Sequence, residues 1–409
     1  MSARARDLLL PILAATAGVV LLVLLALTTA EWTDFEREAQ PAFQALRGGN
    51  LHGFLGNSPA YAGSLALRAP FALMTNLWDG GTLALFRLVA IPCVAAVAAL
   101  GVVLWSQSRG RAARRLTPWI VLAVCLANPL LLDALQMGHA EELLGAALCL
   151  GAALAAGARR PVLAGVLLGL AVANKPWAVV AVGPVLVTLR AGHVRALASA
   201  AVVGAVVLAP FVLAGGLATT TAVAHSGGGF FKPWEVWWFT GDHGYVVAQT
   251  LGPQRGWRIP PDWVERWSHP IVVLAPALLC AAAWQPLRRR RWEDGLLLLA
   301  LCFLLRGLLD VWNTSYYALP VVLALVAWEA HVRSGPPLLA IGVTAMAWLT
   351  MVQLQGLISP DAQAVAYLAW AVPLAIALGL RLVAPERFAR LAEPAGTVVR
   401  RRLPMLAGA

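Results

Sequence analysis

The chain is short of lysine and has no paired cysteines. Of its 31 basic residues only Lys175 and Lys232 are lysines, and its five cysteines lie singly in apolar stretches, without a CxxC pair or a Cys/His cluster. A disulfide framework or a cysteine metal site is therefore not expected. The polar linkers and amphipathic stripes that a soluble multidomain protein would show are also absent. The scarcity of lysine beside abundant arginine and alanine suggests a bacterial source.

What the chain has instead is long apolar runs. Hydrophobic residues make up 60% of it, whereas soluble domains contain about 45–50%. Runs of about 18 or more apolar residues predict an all-α polytopic transmembrane helical bundle of about 12 spans, forming a single integral membrane domain over 1–409. The first run is longer than a signal peptide needs, which favours a retained helix. The spans are expected near 8–30, 82–105, 117–135, 142–157, 161–174, 176–189, 196–215, 270–284, 295–310, 316–330, 337–355 and 364–382.

Alternating these spans from a cytoplasmic N-terminus sorts the charges by side. Of the 31 basic and 20 acidic residues, the inner segments hold 21 basic and 6 acidic ones. The outer segments hold the other 10 basic and 14 acidic residues. This asymmetry follows the positive-inside rule and predicts cytoplasmic termini in a plasma membrane protein. The basic character is then expected to contact anionic lipids and not nucleic acid. The inner side includes a basic tail, 383–409, while two long outer loops, 31–81 and 216–269, offer the polar material for a site.

The first outer loop begins with four acids within eight residues, Glu31, Asp34, Glu36 and Glu38. A carboxylate at a membrane surface can accept a proton from a hydroxyl group. Asp34 can equally cap a surface helix through 35–47 that ends at Gly48-Gly49. The local pattern leaves both interpretations open.

Two further polar groups follow at outer span ends. His139, Glu141 and Glu142 crowd the turn between the third and fourth spans, where their cost in an apolar setting implies partners or a wet cavity. His139 and Glu142 have one-turn spacing, so a metal pair is the less favoured alternative. Lys175 precedes Pro176, which indicates either a simple turn or an ammonium placed to contact a phosphate.

The second outer loop and the ninth span supply the remaining candidates. Tryptophans such as Trp234 suit a membrane interface, and their faces can also bind sugar rings. Lys232 and His243 are less well explained by an aromatic belt. Arg306 and Asp310 are four residues apart and are expected to pair on one helix face, although Arg306 can also point to a ligand phosphate.

Six short motifs lie at the ends of the predicted spans and in the first outer loop. They are Thr33-Asp34-Phe35, Gln40-Pro41-Ala42-Phe43, Leu46-Arg47-Gly48-Gly49, Met137-Gly138-His139-Ala140-Glu141-Glu142-Leu143-Leu144, Ala173-Asn174-Lys175-Pro176 and Asp310-Val311-Trp312-Asn313-Thr314-Ser315-Tyr316-Tyr317. These motifs resemble the membrane-embedded C-type superfamily of glycosyltransferases, and most of all the bacterial polyprenol-phosphate-mannose-dependent α-mannosyltransferases. The topology of most of the chain fits this resemblance.

The resemblance implies transfer of a sugar, with inversion, from a polyprenyl phosphate to a lipid-linked or glycan acceptor on the outer side. Asp34 matches the family's general base, with Glu36 as the neighbour that could be confused with it, and no cofactor or metal is expected. Gly138-His139-Ala140-Glu141 departs from the usual Gly-Gln-(x)-Asn and leaves the sugar and the acceptor open. Donor phosphate contacts are expected from Lys175, Arg306, His139, His243 and Lys232. Acceptor or sugar contacts are expected from Glu141, Glu142, Asp310, Asn313, Tyr316 and Trp234.

Two other functions compete with this one. About twelve spans also suit a secondary transporter or a flippase for lipids or lipid-linked sugars, and Lys175-Pro176 could mark the broken helix of such a protein. Most charges nevertheless lie at span ends on one side, which favours the enzyme. A non-catalytic scaffold for envelope assembly is the third alternative, and it predicts that no single outer carboxylate matters.

Overall fold

The computed structural model describes residues 3–26, 34–59, 61–77, 80–215, 232–243 and 258–385. The structure is 81% helical. The helices are α1 (Ala3–Leu25), α2 (Asp34–Glu38), α3 (Gln40–Arg47), α4 (Leu51–Gly56), α5 (Ala62–Met74), α6 (Thr82–Arg109), α7 (Thr117–Leu126), α8 (Pro129–Gln136), α9 (Ala140–Gly157), α10 (Pro161–Asn174), α11 (Val182–Thr188), α12 (His193–Gly215), α13 (Asp262–Arg288), α14 (Asp294–Leu309), α15 (Ala318–Val332), α16 (Leu338–Trp348) and α17 (Pro360–Val383).

Short irregular elements complete the described chain. Four 3-10 turns lie at Thr75–Leu77, Pro176–Ala181, Trp238–Thr240 and Ser315–Tyr317, and one π turn lies at Leu349–Gln353. Strands β1 (Asp242–His243) and β2 (Arg258–Ile259) pair antiparallel, with Asp242 opposite Ile259 and His243 opposite Arg258. The all-α prediction therefore fits the described residues apart from this two-residue pair.

Eight helical segments in the described part of the chain are long and apolar enough to cross a membrane. Three shorter apolar segments, Pro161–Asn174, Pro176–Thr188 and Leu338–Gln353, accompany them. The predicted count of about 12 spans is not confirmed by these lengths. Helix α13 begins at Asp262, within the predicted outer loop 216–269, of which 216–231 and 244–257 lie outside the described residues.

Burial separates central from peripheral helices. The segment Ser315–Val332 is 89% buried inside the protein, whereas the spanning window of α12 is only 11% buried. An apolar helix with so much exposed surface is suited to face lipid, because the hydrocarbon of a bilayer offers no hydrogen-bond partners to polar groups. Helix α9 lies in the centre against α6, α10 and α15. The first turn of α9 therefore carries its polar residues into the interior.

Small residues let the helices around α10 approach closely, as is common in membrane bundles. A methyl group added at Gly165 or Gly169 would overlap carbonyl groups of α12. One added at Gly63, in the first turn of α5, would overlap the Ala173 carbonyl near the end of α10. The approach at Gly63 brings α5 against the end of α10, where the polar site begins.

Candidate functional site

A turn between α8 and α9 meets the start of α2 and forms the centre of the site. Gly138 adopts φ +90°, a left-handed conformation that glycine accepts without strain. The Asp34 N–H donates to the Met137 carbonyl oxygen at 3.4 Å. These contacts hold the first residue of α2 beside His139, although 105 positions separate Asp34 from His139 along the chain.

His139 lies between two carboxylates. Its Nε2 is 3.0 Å from Asp34 Oδ2, and its Nδ1 is 2.8 Å from Glu141 Oε1. A neutral imidazole can donate only one hydrogen bond, so this double contact favours the imidazolium. Burial alone would lower the pKa of His139, but the hydrogen bonds to Asp34 and Glu141 outweigh it and raise the pKa to about 9. The hydrogen bond to His139 in turn lowers the pKa of Asp34, so this carboxyl is ionised at neutral pH.

Glu141 gathers cations from two other helices. Its Oε1 lies 3.0 Å from Lys175 Nζ, and its Oε2 lies 3.5 Å from Arg68 Nη1. The Lys175 ammonium also lies 3.4 Å from Glu142 Oε1. Lys175 reaches this position because Pro176 holds the residue before it extended and ends α10 at Asn174. The predicted turn at Pro176 therefore serves to aim Lys175 at α9.

Tyr61 extends the cluster back to α2. The Tyr61 hydroxyl donates a hydrogen bond to Glu38 Oε2. The Lys175 ammonium lies 3.9 Å from the centre of the Tyr61 ring, a distance at which a cation is attracted by the ring face. Glu38, Tyr61 and Lys175 thus tie α2 to the end of α10.

Arg306 closes the other side of the cluster. Its guanidinium carbon lies 3.6 Å from the ring centre of Tyr317 and 4.3 Å from that of Trp177, and its Nη2 is 3.9 Å from Glu142 Oε2. The side chain is fully enclosed, yet its Nε and Nη1 atoms have no hydrogen-bond partner among the described residues. Buried donors are costly without partners, so Arg306 is prepared to receive a further acceptor.

The predicted pair of Arg306 with Asp310 is replaced by other contacts. Helix α14 ends at Leu309, and Asp310 takes an extended backbone, so the two residues do not share a helix face. Asp310 Oδ1 instead lies 3.8 Å from His269 Nε2 and accepts a hydrogen bond from the Trp312 N–H at 2.9 Å. The end of α14 thus keeps Arg306 and Asp310 from the ion pair that their spacing in the sequence predicted.

A second polar group lies around Asn313. The Asn313 amide donates to the Trp234 carbonyl oxygen and, at 3.2 Å, to the Tyr367 hydroxyl. Trp234 is buried, so it is packed inside the protein and not on an exposed aromatic belt. Glu235 beside it is also buried, and this burial raises its pKa well above the ordinary value. Asn313 and Trp234 thus form a packed group with Glu235.

Lys232 stands between the two groups. Burial lowers its pKa, while Asp34, Asp133 and Glu235 act in the opposite direction through their charges. Its ammonium has no ion-pair partner among the residues that the structure describes, and it lies 5.6 Å from the Trp234 ring centre. Lys232 is therefore a second cation available near Asp34.

The other candidates are placed as follows. Tyr316 packs its ring 4.7 Å from the His139 ring, inside the cluster. Glu36 is on the exposed face of α2, and His243 lies on β1 opposite Arg258. Both ring nitrogens of His139 contact carboxylates, those of Asp34 and Glu141. Among the described residues no group of three or more His, Cys, Asp or Glu side chains is placed to hold a metal ion.

Comparison with known families decides the class of the protein. The sequence profile of glycosyltransferase family 87, a C-type family, matches residues 62–311, more than half of the chain. The chain belongs to glycosyltransferase family 87. Neither the curated proteins nor the solved structures gave a match. Asp34 lies upstream of the matched segment of this family 87 chain, and its contact with His139 joins it to that segment.

Sequence reasoning did not single out Arg68 as part of the site. Arg68 lies in the apolar helix α5, is completely buried and reaches Glu141. A charged residue inside an apolar helix is costly and usually functional, and this signal could have drawn attention to it. Glu38 and Tyr61 were also not singled out, because only tertiary contacts, of Glu38 with Tyr61 and of Tyr61 with Lys175, distinguish them from their neighbours.

Proposed function

We propose that this glycosyltransferase moves a sugar, mannose or a similar hexose, from a polyprenyl-phosphate donor to a lipid-linked or glycan acceptor at the outer face of the plasma membrane. The observation that carries the proposal is the contrast between Asp34 and the charges behind it. The Asp34 side chain is 48% exposed, whereas that of His139 is 6% exposed and that of Arg306 is 2% exposed. The accessible Asp34 carboxylate is thus joined through His139 to a cluster of enclosed cations.

Asp34 is the general base in this proposal. It would take the proton of an acceptor hydroxyl while the acceptor oxygen attacks the anomeric carbon from the face opposite the phosphate, which inverts that carbon. The bond from the anomeric carbon to the phosphate oxygen breaks, and its electrons leave with the phosphate. Positively charged groups that meet this developing charge lower the barrier.

Arg306 and Lys232 are the cations best suited to hold the donor phosphate. Arg306 has two unpartnered donor atoms, and Lys232 has no ion-pair partner among the described residues. Lys175, expected from sequence to contact the phosphate, is already held by Glu141 and Glu142. We therefore assign Lys175 to the support of the carboxylates and place it second to Arg306 in contacting phosphate.

The apolar cleft between α14, α15, α16 and α17, which includes Tyr317 beside Arg306, has room for about one water molecule. It is too small to hold a prenyl chain, so in this proposal the chain of the donor stays in the surrounding lipid while its phosphate reaches Arg306. The family match and the clustered charges favour this chemistry over a transporter or flippase.

The base is tested by Asp34→Asn in membranes supplied with radiolabelled polyprenyl-phosphate mannose. Loss of a general base should lower transfer by about 10²–10⁴-fold, while Glu36→Gln, on the exposed face of the same helix, should retain activity. Full activity of Asp34→Asn would remove Asp34 from the mechanism. Equal transfer from a nucleotide sugar would reject the lipid donor.

The phosphate contacts are tested by steady-state kinetics of Arg306→Ala and Lys232→Ala. Each should raise KM for the donor more than KM for the acceptor, because in this assignment the lost cation contacts the donor phosphate and not the acceptor. Lys175→Ala should change donor and acceptor KM less selectively. An unchanged donor KM in both Arg306→Ala and Lys232→Ala would contradict this assignment.

Sidedness is tested by cysteine labelling of intact cells. The native cysteines are all buried, so a cysteine at an exposed position should dominate the signal. Asp242→Cys in the second outer loop should react with an impermeant maleimide from outside, and Arg115→Cys should react only after permeabilisation. The reverse pattern would invert the proposed orientation.

A further inference from the structure

Binding of the donor phosphate or of the acceptor does not explain the contacts that the His139 imidazole makes. Both ring nitrogens are occupied by carboxylates, at 3.0 Å for Asp34 and 2.8 Å for Glu141. The ring is enclosed and packs against Tyr316. A side chain in this position has no free donor for a phosphate oxygen, so its effect on any reaction must pass through the carboxylates it touches.

We propose that His139 is a positioning residue, a buried imidazolium that orients the Asp34 carboxylate and keeps it ionised for proton transfer, with Glu141 holding the far side of the ring. This inference rests on the proposed role of Asp34 as the base. The acceptor proton moves to an Asp34 carboxylate oxygen, and His139 keeps its own proton throughout. The charge of His139 thus sets the protonation state of Asp34 without the ring touching substrate.

The charges around the ring are consistent with an imidazolium. Asp34 from α2 and Glu141 from α9 favour the charged ring, while Lys175 from the end of α10 opposes it. The Tyr316 ring lies 4.7 Å from the His139 ring and is tilted by 41° to it. The balance keeps the pKa of His139 raised to about 9, despite the burial that on its own would lower it.

The groups that face Asp34 act in one direction. Hydrogen bonding with His139 is the largest influence that lowers the pKa of Asp34, and the charges of His139, Lys232 and Arg37 add to it, while partial burial opposes it. An Asp34 carboxylate held ionised in this way remains ready to accept a proton in mildly acidic solution. The benefit is a wider pH range of activity, obtained with a weaker base.

The pH dependence of transfer separates this role from a purely structural one. His139→Gln keeps a donor near Asp34 but carries no charge. An opposite charge at this distance lowers a carboxyl pKa by about 1–3 units, so the acid limb of kcat should move up by about one pH unit or more. The alkaline decline that we expect in the native protein near pH 9, where a neutral ring can donate to only one carboxylate, should disappear. KM for the donor should not change.

Three results would overturn the proposal, and one control variant is measured beside His139→Gln. His52→Gln, at an exposed histidine of α4, should match the native pH profile. A His139→Gln profile that is merely scaled down would show that the ring does not act through Asp34. A rise in donor KM would indicate that His139 binds the donor phosphate. An acid limb that moves down would contradict the sign of the charge effect.

A measurement without substrate keeps the inference testable if the proposed reaction fails. The seven histidines can be labelled for NMR in detergent, and the His139 resonance identified by its loss in His139→Gln. We expect its pKa at about 9 in the native protein and a clear fall in Asp34→Asn. An unchanged His139 pKa in Asp34→Asn would refute the linkage. Intact linkage with a fully active Asp34→Asn would instead refute the proposed base alone.

Discussion

Replacing Glu141 by Gln removes one charge from the centre of the buried cluster while keeping its shape. Glu141 is 1% exposed, and its oxygens lie 2.8 Å from His139, 3.0 Å from Lys175 and 3.5 Å from Arg68. In Glu141→Gln these three cations lose the carboxylate they share. The amide still accepts a hydrogen bond, so the change is mainly electrostatic.

The magnitude follows from these distances. At an effective dielectric of about 20, an attraction across 3–3.5 Å is worth roughly 5 kcal/mol per pair. Most of this gain is cancelled in the native protein by the cost of removing the charges from water and by repulsion from Glu142. Removing one partner of a buried ion pair nevertheless costs about 3–5 kcal/mol, because a buried charge is left uncompensated. We expect Glu141→Gln to lower the free energy of unfolding by this amount.

Thermal unfolding of the purified protein in detergent, without substrate, measures the effect. Glu36→Gln makes the same chemical change on the exposed face of α2 and should unfold as the native protein does. The double variant Glu141→Gln/Arg68→Met should lose less stability than the two single changes added together, since removing Arg68 also removes a buried cation. Native stability in Glu141→Gln would refute the assignment of a charged carboxylate at the centre of the cluster.

Three further outcomes test other parts of the structure. The pKa of His139 is raised from 6.5 to about 9, so its contribution of about 3 kcal/mol is complete below pH about 6.5 and is lost as the pH rises through 9; unfolding followed from pH 6 to 10 should show this decline, and His139→Gln should flatten it. Gly63→Val should destabilise the protein by about 2 kcal/mol or more through overlap with Ala173, whereas Gly342→Val, which faces open space, should cost much less in the same assay. Arg306→Lys keeps the charge but loses the planar group that lies over two aromatic rings, so donor KM should rise although less than in Arg306→Ala; a donor KM equal to the native value would contradict a guanidinium-specific contact.

Some features of this protein were accessible from local sequence alone. Apolar runs predicted a helical membrane protein because hydrocarbon requires internally satisfied backbone groups over about 20 residues. The scarcity of lysine and the crowding of acids pointed to Asp34, His139 and Lys175, since isolated charges beside apolar spans are costly. The break at Pro176 was also predictable, because proline restricts the residue before it.

The partners of these residues were decided by the tertiary structure. Asp34 and His139 meet because α2 folds back onto the turn between α8 and α9, a contact that spans 105 positions and has no local pattern. Spacing paired Arg306 with Asp310, but the end of α14 at Leu309 separated them. Helical spacing reports which residues share a face only while the helix continues, and the choice among several buried carboxylates depends on which helices pack together. The sequence therefore determined which polar residues lie beside apolar spans, and packing determined which of them are brought into contact.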